Sequence, residues 1–170
     1  QIEGRTTDGG NVDLQSGPYF HFDQKFLNAN PLSGYSFLNW TSETNSTDDL
    51  SSISEANATL TVKGPATFTA HFVENQYTLT VATPNNSWGT VSPSNNGPYL
   101  FSQTIPVSAT AFTGYKFSNW TGDLGALPDS LASTDANMSR LTKNISLQAH
   151  FAPKTYVVET NSTTGGTITV

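Results

Sequence analysis

The chain has 170 residues, and its 7 Lys and Arg against 13 Asp and Glu give a formal net charge of −6. This shortage of basic residues argues against nucleic-acid binding and against a polybasic membrane surface. The absence of cysteine excludes disulfides and thiol chemistry. No apolar run approaches the length of a membrane span, and a polar set dominated by Ser, Thr, Asn and Gly is typical of extracellular β-proteins.

Residues 1–15 are predicted to form two short strands around the turn Asp8-Gly9-Gly10, a hairpin in which glycine permits a positive φ. A more polar strand is predicted at residues 25–30. The variable segment 42–57 carries acidic residues that favour a first helical turn, so it could form a short helix. Strands at residues 59–62 and 68–72 complete this part of the chain.

One stretch of the sequence occurs twice: residues 34–41 return as residues 114–121, which are 114 − 34 = 80 positions apart. Gly, Tyr, Phe, Asn, Trp and Thr match position for position, and such repetition indicates tandem modules. Alternation along a strand places Tyr35 and Phe37 on one face, with Trp40 on the other unless a bulge intervenes. We predict that the following aromatic residues form the structural core of the two copies: Tyr35, Phe37, Trp40, Phe72, Tyr115, Phe117, Trp120 and Phe151.

Further matches extend the repeat over nearly the whole chain. Residues 16–19 correspond to residues 96–99, and residues 68–72 to residues 147–151. We predict two modules, residues 1–76 and 77–155, followed by the opening hairpin of a third, incomplete module at residues 156–170. The predicted fold class is mainly β, with two tandem small β modules of about six short strands each, and each of the variable segments, 42–57 and 122–137, could add one short helix.

The second module has the clearer strand pattern. Residues 105–111 alternate as a half-buried strand does. Pro106 cannot donate a backbone hydrogen bond, and it therefore predicts an edge strand or one that is entered through a bulge.

The order of motifs resembles the InlB-type B-repeat family in its divergent form. The second copy carries Tyr77-x-Leu79-x-Val81, then Gly89-Thr90-Val91, Gly114-Tyr115-x-Phe117-x-x-Trp120 and Ala149-x-Phe151. It also keeps Gly122-Asp123 after the tryptophan motif, whereas the first copy has Ser42-Glu43 there. The resemblance implies a module of secreted or wall-attached surface proteins, a spacer or adhesive segment and not an enzyme. It also implies, for one branch of the family, a β-grasp-like sheet with a crossing helix.

No catalytic residue, metal ligand or cofactor is predicted. His71 and His150 occupy equivalent strand positions and are expected to point outward into solvent, because no ligand-spaced partners recur with them. Asp48 and Asp49 are expected in a solvated turn. A set of three acids could offer oxygen ligands to Ca²⁺, but its spacing is not that of an EF-hand: Asp123, Asp129 and Asp135.

Three aromatic residues are candidates for stacking against a sugar or a partner: Trp88, Tyr19 and Tyr99. Trp88 lies in the first turn of its module, where the other copies carry Gly9 and Gly165. The alternative interpretation is a tryptophan folded back onto its own module.

These patterns lead to two hypotheses about function. The first is a non-enzymatic, extracellular repeat segment of a surface adhesin, stalk or fibre. The second is a carbohydrate-binding module of a secreted polysaccharide-degrading enzyme. Expected partners are surface glycans, surface proteins or other copies of the chain. In the last case residues 156–170 would add as strands to a neighbouring sheet and build a filament.

Overall fold

The computed structural model describes residues 2–14, 18–43, 49–126, 135–138 and 141–159. The strands in these ranges are β1 (Ile2–Thr6), β2 (Gly10–Leu14), β3 (Gln24–Pro31), β4 (Tyr35–Ser42), β5 (Asn57–Thr61), β6 (Ala66–Glu74), β7 (Gln76–Tyr77), β8 (Leu79–Ala82), β9 (Gly89–Ser92), β10 (Tyr99–Leu100), β11 (Ile105–Ala111), β12 (Tyr115–Gly122), β13 (Asp135–Met138) and β14 (Ile145–Pro153). The prediction of a mainly β fold built from small modules is therefore confirmed.

The chain divides into two units. The first consists of Gln1–Leu79, Gly97–Thr104 and Ser139–Ile145, and the second of Thr80–Asn96, Ile105–Met138 and Ser146–Val170. Short pieces of the second sequence repeat thus belong to the first unit.

The first unit contains two three-stranded sheets, with strand orders β1-β6-β4 and β2-β3-β5, and the two-stranded ladder β10-β7. β1 pairs with β6 in parallel, from Ile2 opposite Ala66 to Thr6 opposite Ala70. The core draws on both three-stranded sheets, because alternate residues of each strand point inward. Its largest fully buried side chains are Trp40, Phe68, Leu27 and Leu60.

Both copies of the repeated motif contain a β-bulge. In β4 the register against β6 shifts between Phe37 and Asn39, and β12 shifts against β14 at the equivalent place. The extra residue re-aims the strand, so residues three apart face the same side. Phe37 lies 5.6 Å from Trp40 between ring centroids, and Phe117 lies 5.6 Å from Trp120. The bulge therefore brings the Phe and Trp rings of each motif onto the same face of the strand. This is the exception that was stated for Trp40 in the prediction from the sequence.

The second unit is built around β11, whose inward positions are all apolar. The sheets have strand orders β13-β11-β9 and β12-β14-β8. Its buried side chains are Val81, Ile105, Val107, Ala109, Trp120, Leu147, Ala149 and Phe151. As in the first unit, the alternation of small and large apolar residues along the strands produces one inward face.

Two predictions about strand pairing are wrong. β1 and β2 do not pair as a hairpin; they join different sheets, because Gly9, at φ +104°, turns the chain from one sheet to the other. β11 is the central strand of its sheet and not an edge strand. Its ladder with β9 runs only from Ser108 to Ala111, so Pro106 has a partner strand on one side alone.

The helix expected in the variable segments is absent from their described residues, where Leu124–Ala126 forms a 3-10 helix and no residue lies in an α-helix. No helix in the described ranges has the length and apolar character needed to cross a membrane. The hairpin predicted at residues 156–170 falls largely outside the described residues.

Candidate functional site

The first turn of the second repeat carries Trp88, and its ring stacks on Tyr115. The ring centroids are 5.1 Å apart and the planes are inclined by 20°. In the first repeat Gly9 occupies the corresponding place and lies directly against the ring of Tyr35. Trp88 thus fills a place that the first repeat leaves to glycine. It is half-buried, so one face of the indole packs against its own unit.

A small cleft lies beside Trp88. It is lined by Thr83, Pro84, Asn85, Trp88, His150 and Phe151 and has a volume of about 60 Å³. Pockets that enclose small-molecule ligands typically measure about 300–1,000 Å³. A sugar could therefore lie across the indole but could not be enclosed there.

The other two stacking candidates are placed differently. Tyr99 is buried and pairs with Tyr77 in the β10-β7 ladder. Tyr19 is half-buried, and the Nζ atom of Lys25 lies 5.6 Å from the centroid of its ring, an arrangement that suits a cation–π contact. The cleft beside Trp88 contains neither tyrosine, and a role for any of the three in binding stays a prediction.

His71 and His150 make the same hydrogen bond in the two repeats. The Nε2 atom of His71 lies 2.7 Å from Oγ1 of Thr41, and that of His150 lies 2.8 Å from Oγ1 of Thr121. Both rings are half-buried and not freely solvated as expected. The threonines are the last residues of the repeated motif, so each pair ties the motif strand to its neighbour. Among the described residues no three His, Asp or Glu side chains group as a metal site would need.

Two of the acidic residues singled out in the sequence, Asp49 and Asp123, have structural partners. Asp123 accepts a hydrogen bond at 3.0 Å from the backbone N–H of Ser146 and donates its own N–H to the Ser146 carbonyl. In the first repeat Glu43 keeps the corresponding backbone position but directs its carboxylate to Arg5, at 2.8 Å. Asp49 pairs with Lys63 at 2.6 Å. Asp48 and Asp129 lie outside the described residues, as do the side-chain contacts of Asp135.

In each repeat one glycine lies directly against an aromatic ring, which leaves no room for a side chain at that position. A methyl group at Gly10 would overlap the ring of Phe72, and a methyl group at Gly89 would overlap the ring of Phe151. These glycines therefore serve close packing and not an unusual backbone conformation. The glycine of the Gly-x-Val motif and the phenylalanine of the Ala-x-Phe motif therefore form one packing contact in each repeat.

A second contact of this kind was not predicted from the sequence. We call it the joint, and it consists of the packing of Phe101 on the Gly34 turn together with the adjoining β10-β7 ladder. The Phe101 ring covers the face of Gly34, which has a φ of +86°. The N–H of Phe101 donates to the Asn75 carbonyl at 2.9 Å, and the N–H of Asn75 donates to the Gly34 carbonyl at 2.8 Å. Phe101 carried no sequence signal, because His21 stands at the equivalent place in the first repeat.

Comparison with known proteins identifies one family. The family described as the divergent InlB B-repeat domain matches residues 1–76 and again residues 77–155. No curated protein and no solved structure was found to match the chain.

Proposed function

Because the chain belongs to the divergent InlB B-repeat domain family, we propose that it is a non-enzymatic structural segment of an extracellular surface protein. InlB-type repeats occur in such proteins. In this role the two repeats act as a spacer or adhesive stalk that holds other parts of the protein away from the cell.

The observation that carries this proposal is that both repeats preserve one internal framework while their surfaces differ. The Phe–Phe contact of the core measures 6.0 Å between centroids in the first repeat and 6.1 Å in the second. The Phe–Trp contacts and the Thr–His hydrogen bonds agree to within 0.1 Å. Repeats that stack in series need a constant framework more than a shared ligand-binding surface.

The test is to locate the protein on the organism that makes it. Antibodies raised against the 170-residue chain should label intact cells, and brief protease treatment of those cells should remove the label. Labelling that requires permeabilised cells would contradict an extracellular role. A cytoplasmic protein of the same cells, probed in parallel, controls for leakage.

Carbohydrate binding is a second candidate, and the half-buried Trp88 favours it. The first repeat folds with glycine at this place, so the indole is not required by the framework. We expect Trp88→Gly to abolish retention in polysaccharide gels, since it removes the stacking face and leaves a residue that the turn already accepts in the first repeat. Phe26→Ser is the matched control, because Phe26 is an exposed aromatic residue of the first unit. The absence of retention of the wild-type chain on a broad glycan panel would remove this candidate.

A further inference from the structure

The acceptor sequence for N-glycosylation, Asn-x-Ser/Thr, occurs eight times in the chain. Five of these sequons lie wholly within the described residues, and they begin at Asn39, Asn57, Asn85, Asn119 and Asn144. An acceptor site must offer its amide nitrogen and the hydroxyl two residues later to the enzyme that modifies it. Its backbone must also reach that enzyme's active site from the protein surface. These requirements separate the five sequons.

The two sequons of the repeated motif are engaged in hydrogen bonds of the framework. The hydroxyls of Thr41 and Thr121 lie 2.7 and 2.8 Å from Nε2 of a histidine on the neighbouring strand. In the second copy, Nδ2 of Asn119 also donates to the Trp120 carbonyl at 3.2 Å. Glycosylation at either site would therefore compete with contacts that hold the motif strand in place.

The sequons at Asn57 and Asn144 are held through other contacts. In β5 the N–H of Thr59 donates to Oγ of Ser51 at 2.9 Å, and its carbonyl accepts from the N–H of Ser51 at 2.8 Å. Because β5 also pairs with β3, this segment is bonded on both sides. Oδ1 of Asn144 accepts the N–H of Thr78 at 3.0 Å. Neither segment can enter an enzyme without breaking these bonds.

The sequon Asn85-Asn86-Ser87 lies in the turn between β8 and β9, outside the strand ladders. Oδ1 of Asn85 accepts the N–H of Ser87 at 3.0 Å, which forms an Asx-turn. Among the described residues, neither Nδ2 of Asn85 nor the hydroxyl of Ser87 makes a hydrogen bond. Both groups that glycosylation requires are therefore unengaged here, and they lie on a turn.

Trp88 provides a surface for a sugar beside this turn. The carbonyl of Asn85 accepts the N–H of Trp88 at 3.2 Å, and both residues line the cleft of about 60 Å³. One face of the indole stacks on Tyr115, and the apolar, carbon-bearing face of a sugar ring packs well on an aromatic ring. The cleft is too small to enclose a sugar, but a covalently bonded sugar needs no enclosure.

The first repeat has neither the asparagine nor the tryptophan. With Gly89 aligned on Gly10, its corresponding residues are Thr6, Asp8 and Gly9. The sequon and the indole thus occur in the same repeat and are missing together from the other one, as expected if both serve one glycan.

We propose that Asn85 is an N-glycosylation site and that the first sugar of its glycan packs against Trp88. In the reaction Nδ2 attacks the anomeric carbon of an oligosaccharide that is carried on a lipid phosphate. The N–C bond forms as the C–O bond to the phosphate breaks, the lipid phosphate leaves with the electron pair, and a base of the transferase takes one proton from Nδ2. This inference rests on the proposed extracellular function, because the sequon is used in secreted proteins. It is an alternative to the second candidate function, since the glycan covers the indole.

The experiment is mass spectrometry of the chain isolated from the organism that makes it. Trypsin cleavage after Lys63 and Lys116 gives the peptide 64–116, in which the sequon of Asn85 is the only one. We expect this peptide to carry the added mass of sugar residues, with fragment ions that place them on Asn85. An unmodified peptide from protein that antibodies label on intact cells overturns this inference and leaves the proposed function standing. Failure of the proposed function is recognised separately, by the labelling itself.

Asn86→Gln is the matched control, because Asn86 is the exposed neighbour of Asn85 and does not itself begin a sequon. When the variants are made in the same organism, Asn85→Gln and Ser87→Ala should each lose the sugar from peptide 64–116. Asn86→Gln and Ser87→Thr should keep it. Loss of the sugar from Asn86→Gln to the same extent would overturn the role of the sequon, and circular dichroism verifies that each variant is folded.

Fluorescence quenching by acrylamide tests the packing of the sugar on Trp88. The chain has three tryptophans, and Trp40 and Trp120 are buried, so the quencher reaches chiefly Trp88. The glycosylated chain should therefore have a lower quenching constant than the Asn85→Gln chain from the same cells. Equal constants would overturn the packing on the indole.

Discussion

Gly34 and Gly114 provide a matched pair for testing what Phe101 contributes to stability. Both glycines lie in the turn before the motif strand, with φ of +86° and +88°. They differ in one respect: the Phe101 ring covers Gly34, whereas no heavy atom of the described residues lies within 4 Å of where a Cβ of Gly114 would stand. We predict that Gly34→Ala destabilises the chain clearly more than Gly114→Ala does.

The magnitudes follow from the two environments. Alanine in the left-handed region costs about 1–2 kcal/mol, partly offset by about 0.4–1 kcal/mol from the less flexible unfolded chain, so Gly114→Ala should cost roughly 1 kcal/mol. At Gly34 the methyl group must also displace Phe101, which is 8% exposed. Complete burial of a phenylalanine side chain is worth about 1.5–3 kcal/mol. Gly34→Ala should therefore exceed Gly114→Ala by about 1–3 kcal/mol.

Urea unfolding followed by circular dichroism and tryptophan fluorescence measures the difference. Hydrogen exchange at the Phe101 amide, which bonds to Asn75, reports the local effect. In a Phe101→Ala background the extra cost of Gly34→Ala should vanish, because the clashing ring is gone. Equal costs at the two glycines in the wild-type background would refute the packing argument.

Three further perturbations test the framework. Trp40→Ala and Trp120→Ala should each lower the free energy of unfolding by roughly 3–5 kcal/mol, as truncation of buried aromatic residues does. The two side chains are 1% and 2% exposed. A melting curve that is nearly unchanged in either variant would contradict their core role. Gly89→Ala should destabilise the chain by about 1–3 kcal/mol through overpacking against Phe151, and Phe151→Leu in the same chain should recover part of that loss. Arg5→Gln should change stability by less than about 1 kcal/mol, since its ion pairs are on the surface; a larger loss by urea titration would indicate a role beyond them.

The repeat pointed to three aromatic residues that the structure buries, Trp40, Trp120 and Phe151, because a residue that recurs at the same offset does so for a shared structural reason. The other five predicted core aromatics are half-buried. The pairing of strands, by contrast, could not be predicted from the repeat. The glycine turn at Gly9 was recognised correctly as a turn. Turn chemistry does not specify which strands bond, however, and β1 found its partner in a strand that begins 66 − 2 = 64 residues later.

The joint could not be predicted for a different reason. It depends on Phe101 reaching Gly34, and these residues belong to different copies of the repeat and share no motif. An alignment of the two repeats detects only the residues that both copies share, so it cannot detect a contact between residues that differ from copy to copy. Trp88 is the opposite case: its departure from the repeat made it conspicuous, but only the structure revealed the stacking on Tyr115.

The parallel pairing of β1 with β6 has a mechanical consequence. Pulling the start of β1 away from the end of β6 draws the two strands past each other along their length. From Ile2 opposite Ala66 to Thr6 opposite Ala70, the hydrogen bonds lie across the direction of pull and share the load, so they must break together and not one after another. A chain under tension at the two ends of this strand pair would therefore resist extension at the first unit until the force on the whole ladder is exceeded.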